Sequence, residues 1–107
     1  MASGMVSEQV GLWIDPTRAV IVFAQSLTAH LVESRRLSAA RFYDHVIHAL
    51  GAPGPVLIMG PDDTKSELSE RLALSSRLKG WVVTLEQSWC TRDREILAEL
   101  TGRLQPE

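Results

Sequence analysis

Arg35, Arg36 and Arg41 crowd one short stretch of this chain. Guanidinium groups that close together can neutralise phosphates, and three such contacts would give weak, salt-sensitive binding to a polyanion. A solvated charge run is the alternative. Lys65 stands in Thr64-Lys-Ser-Glu67, whose spacing marks a helix start, where free backbone N–H groups favour anions. Its ammonium can meet a phosphate or carboxylate, or simply be balanced by Asp62, Asp63 and Glu67. The preceding Gly60-Pro-Asp-Asp is no nucleotide-binding loop, because it puts two negative charges where phosphates would sit. Asp44, His45 and His48 have the spacing of a surface metal site and equally that of the wet stripe of an amphipathic helix. Without an HExxH pattern or a second cluster, no metal is expected. Cys90 has no histidine near it in sequence, so an inert thiol is expected and not a nucleophile.

The elements that must position these residues are written in the apolar pattern. Val10–Ile14 and Ala19–Ala24 are β-branched and aromatic runs around Asp15-Pro-Thr-Arg18, where Asp and Pro suit the first two positions of a turn, so a hairpin is predicted. The second run is apolar throughout and belongs inside a sheet covered on both faces. Thr28–Val32 is a weaker third strand. From Ser38, Phe42, Tyr43, Val46, Ile47 and Leu50 fall on one side of a helix that Gly51 ends and Pro53 keeps from resuming. Pro55–Met59 reads as a buried strand, and Thr64 with Glu67 as a reciprocal cap for a second helix. Gly80–Leu85 is a further strand, and Thr91 can cap a last helix with Ile96, Leu100 and Leu104 on its core side.

The order is βββαβαβα: an antiparallel front, then strands reached by helical crossovers, hence parallel. That is the ribonuclease H-like α/β arrangement with a mixed sheet, and shared fold assigns no function. A single domain over residues 10–104 is expected, behind a flexible lead-in at 1–9. At 107 residues, with 45% apolar and 22% charged, the chain can bury one core and is neither disordered nor coiled-coil. A net charge of −2 makes any nucleic-acid contact the work of a local patch. One cysteine excludes an internal disulfide, and no apolar run approaches the length of a membrane helix. A cytoplasmic setting without membrane contact is therefore expected. Trp13, Trp81 and Trp89 suit either the core or an interface, and a second copy of the chain could complete so small a core.

Val10–Val22, Arg41–Ile47 and especially Gly60-Pro-Asp-Asp-Thr-Lys-Ser-Glu-Leu68, an apolar strand ending in Gly and leading to Lys-x-Glu-Leu, resemble small bacterial proteins related to one family of translation domains. These are the middle domains of archaeal and eukaryotic class 1 release factors and of the ribosome-rescue factor Pelota. The resemblance implies a ribonuclease H-like fold and a role in translation. Release factors carry a Gly-Gly-Gln loop, whose glutamine helps water attack peptidyl-tRNA, between the early strands and the long helix. Here Leu27–Ser38 contains no such triplet, so the scaffold carries over and the hydrolase does not. The expected function is a non-catalytic accessory that binds the ribosome or structured RNA through Arg35, Arg36, Arg41 and Lys65, with no cofactor. Two alternatives stand beside it. One is a homodimeric protein-interaction module. The other is a Mg²⁺-dependent nuclease, because Ile14-Asp-Pro also resembles the opening of ribonuclease H-like resolvases. That chemistry needs Asp15 to converge with Glu33 or Asp62 on the metal.

Overall fold

The computed structural model describes residues 9–26, 28–51, 54–74 and 80–104; the expected lead-in lies outside them except for Gln9. Five strands and three helices follow in the predicted order: β1 (Val10–Ile14), β2 (Arg18–Phe23), β3 (Ala29–Glu33), α1 (Ala39–Leu50), β4 (Pro55–Gly60), α2 (Thr64–Leu74), β5 (Val82–Gln87) and α3 (Asp93–Arg103). The sheet order is β3-β2-β1-β4-β5. β1 and β2 pair antiparallel with Leu12 opposite Ile21, and β2 pairs antiparallel with β3. β4 runs parallel to both β1 and β5. The chain thus has the ribonuclease H-like mixed α/β architecture.

Alternation along the strands divides the core into two layers. Leu12, Ile14, Ile21 and Ile58 meet Phe42, Val46 and Leu50 of α1 and Leu68 and Leu72 of α2. On the opposite face Trp13, Val20, Val22, Leu57 and Met59 meet Ile96 and Leu100 of α3 and the adjoining Leu104. Two layers explain why β2 is buried at four consecutive positions and why Trp13 is fully buried beneath a helix. Glycine serves this packing at Gly11, where a Cβ would come within 2.7 Å of Leu104 Cδ1 beneath α3.

Three local expectations shift. β5 begins at Val82 and not at Gly80, because the first ladder bond runs from Val82 N–H to the Gly54 carbonyl (3.0 Å). Thr64 lies inside α2 and does not cap it; Asp62 Oδ1 accepts from Thr64 N–H at 3.0 Å instead, and the Glu67 carboxylate is drawn to Tyr43. Arg92, not Thr91, is the residue before α3, and it offers no side-chain cap; the Thr91 carbonyl accepts from Arg18 Nη2 at 2.6 Å. Ser38 caps α1, accepting from Arg41 N–H at 3.2 Å, a cap beyond the sequence expectations, and Gly51 ends that helix at φ 82° as expected.

Candidate functional site

The carboxyl ends of β1 and β4 point to one rim of the sheet, where the loops leading into α1 and α2 enclose a cleft of about 420 Å³. Pro16, Ser34, Leu37, Tyr43, Asp62 and Glu67 are among its walls. In open α/β sheets this is the position where ligands and partners are met.

One wall is the five-residue passage from β3 to α1. Ser34 N–H is anchored to the Thr17 carbonyl (2.9 Å), and Leu37 N–H returns to the Ser34 carbonyl (2.8 Å). That tight turn leaves Arg35 and Arg36 at its two corners, both exposed. Arg35 reaches back to Glu33 (2.9 Å), an exposed pair contributing little to stability. Arg36 adopts φ 55°, and among the described residues it alone other than glycine has a positive φ. A side chain in that region costs about 1–2 kcal/mol. Arg41 lies in the first turn of α1, exposed, and among the described residues neither it nor Arg36 has an ion-pair partner.

The other wall is acidic, formed by Asp62, Asp63 and Glu67 at the start of α2. Lys65 stands on this side, and its ammonium is engaged by the Asp62 carbonyl (2.8 Å) and by Gln87 Oε1 (3.3 Å). Of the four predicted cations, the structure places three along one short rim and the fourth on the opposing wall. The cleft interior is therefore acidic, and the exposed arginines lie outside it along residues 35–41.

Tyr43 joins the two walls: its hydroxyl donates to Glu67 Oε1 at 2.5 Å. Burial, and then this carboxylate, push its phenol up to about 12. The neutral phenol is thus favoured by folding. The linked stability is complete below pH ~10, where an unfolded tyrosine titrates, and is lost as pH rises through 12. Tyr43→Phe is expected to cost about 1–2 kcal/mol at neutral pH. It should also flatten the fall in urea midpoint that the parent shows across that alkaline window.

Asp15 is consumed by the hairpin turn, its Oδ1 accepting from Thr17 N–H (2.8 Å), Thr17 Oγ1 (2.8 Å) and Arg18 N–H (3.0 Å). Glu33 is paired with Arg35 and Asp62 with the start of α2, and no group of three His, Cys, Asp or Glu among the described residues is placed to hold a metal. Asp44, His45 and His48 line one depression between α1 and β3, away from the cleft, and the Asp44 carboxylate there is bound to Arg71 (3.0 Å). Partial burial, and the Glu99 carboxylate beside it, push the Cys90 thiol up, away from the reactive thiolate.

One cluster had no signal in sequence spacing. Arg18 lies 5.1 Å over the Trp13 ring, donates to the Thr91 carbonyl and faces Asp93 Oδ1 at 3.3 Å, tying the hairpin to the start of α3. Its partners at the start of α3 are more than seventy residues away, and only the fold could show them.

No protein-family model and no curated protein sequence matches the chain. Among solved structures it is similar to the Pelota protein of Thermoplasma acidophilum, with a TM-score of 0.65 and 17% identity over 94% of this chain. The shared region is 35% of that Pelota chain, so this chain spans about a third of its length. At this identity the likeness is one of fold: nearly the whole chain has the architecture of one part of Pelota.

Proposed function

We propose that this protein is a non-catalytic accessory of translation that contacts the ribosome or structured RNA with the rim formed by Arg35, Arg36 and Arg41. The observation that carries the reading is Arg36. A long cationic side chain occupies the corner of an exposed turn at φ 55°, a position that glycine or asparagine would take at lower conformational cost. Strain retained at an exposed charge points to use of that charge. The likeness to the fold of Pelota, a protein whose family acts on ribosomes, supports this class of partner, and the lack of a Gly-Gly-Gln triplet in residues 27–38 favours a non-catalytic role.

Binding of the purified protein to ribosomes and to ribosomal RNA, measured by co-pelleting, separates use from accident. Arg36→Gly is expected to leave stability unchanged or raise it by up to about 1 kcal/mol while weakening binding. Arg35→Ala/Arg36→Ala/Arg41→Ala should lower the salt dependence of log affinity by about 2, from roughly 0.7 per contact with single strands. Lys65→Ala should change affinity least, because that ammonium is already engaged. Equal binding by the parent and the triple variant would refute the assignment.

A further inference from the structure

The two edges of the sheet differ. β3 carries Glu33 at its end, with Arg35 and Arg36 shortly after it. β5 has no lysine, no proline and no bulge: its register with β4 is unbroken from Val82 to Gln87, and its one ion, Glu86, is paired with Arg103. Val82 is 65% exposed and Leu85 42%, with Trp89 77% exposed just beyond the strand. Edges of this kind are open to strand pairing, and natural proteins ordinarily guard them.

We propose that β5 pairs antiparallel with β5 of a second copy, joining the two sheets into one, with Leu85 on the two-fold axis. The hydrogen-bond parity fixes which groups are available. Val82 and Ser88 turn their N–H groups inward to the Gly54 and Gly60 carbonyls (3.0 and 3.1 Å), so the alternate residues Val83, Leu85 and Gln87 turn theirs to the free edge. Centred on Leu85, those donors and acceptors meet their own copies symmetrically: Leu85 opposes Leu85, and Val83 opposes Gln87. Glu86 opposes the Thr84 hydroxyl and not another carboxylate, and Trp81 comes opposite Trp89, extending the contact past both strand ends. A register centred on Thr84 would instead set Glu86 against Val82 and leave Trp89 unused. The strand itself carries no lysine or arginine, and its one charge, Glu86, is an anion, which disfavours nucleic acid as its occupant. The self-complementary register favours a second copy over an unrelated strand. In this dimer the Arg35–Arg41 rims, beside the opposite edge strand, lie at the two far ends of the joined sheet.

The test uses the full chain. Sedimentation equilibrium should show concentration-dependent association toward twice 11.8 kDa, abolished by Leu85→Lys, which sets two like charges on the axis. In a Cys90→Ser background, Leu85→Cys should cross-link under mild oxidation. The Cα atoms of such a hydrogen-bonded pair lie about 5.5 Å apart, within disulfide reach. Leu31→Cys, on the β3 edge, should not cross-link. A wild type that stays monomeric at its highest soluble concentration would overturn the proposal. So would a dimer that survives Leu85→Lys, or equal cross-linking from Leu85→Cys and Leu31→Cys.

Discussion

Trp13→Ala is expected to lower stability by about 3–5 kcal/mol, most of the reserve of a domain this size. Trp13 is 1% exposed and fills the layer between the sheet and α3. Removing its ring leaves a cavity under Ile96 and Leu100 and takes away the face on which the Arg18 guanidinium rests. The indole N–H has no hydrogen-bond partner among the described residues, so its loss adds nothing to the cost. Trp13→Phe is therefore expected to cost much less, about 1–2 kcal/mol, from reduced volume and a weaker cation–π contact. Urea denaturation followed by circular dichroism measures both variants. A phenylalanine variant as unstable as the alanine one would show that the ring is not held by packing.

Gly60→Ala is expected to cost about 2–3 kcal/mol. The added Cβ would press into the Ile14 carbonyl oxygen, and the obstacle is backbone that cannot rotate away. Ile14 and Gly60 end neighbouring parallel strands, so forcing them apart opens the sheet where the cleft begins. The glycine of the Gly60-to-Leu68 motif thus has a physical basis in this close approach. A Cβ added at Gly102, in α3, would meet nothing within 4 Å, and Gly102→Ala should raise stability by about 0.5–1 kcal/mol. Opposite signs for the two substitutions, read from urea midpoints, are the expected result.

The unbroken apolar run of β2 predicted an inner strand covered on both faces, and the 3.6-residue period after Ser38 located α1, with Gly51 ending it. These signals survive because they depend on burial, which repeats along the chain. The shifted elements depended on single hydrogen bonds. Val82 finds the Gly54 carbonyl, and Glu67 meets a Tyr43 hydroxyl brought from another helix, where local spacing suggested a cap. Arg35, Arg36 and Arg41 were legible as a cluster because they are close in sequence. The acidic wall facing them, the engagement of Lys65 and the left-handed backbone of Arg36 were not, since each arises from how loops cross the rim of the folded sheet.

Contact with the translation machinery is tested most directly by sucrose-gradient sedimentation of cell lysate, following the protein across free, subunit and ribosome fractions at low and high salt. Co-migration with ribosomal particles at low salt, lost at high salt and absent for Arg35→Ala/Arg36→Ala/Arg41→Ala, is the predicted result. Migration only at the top of the gradient under both conditions would contradict it.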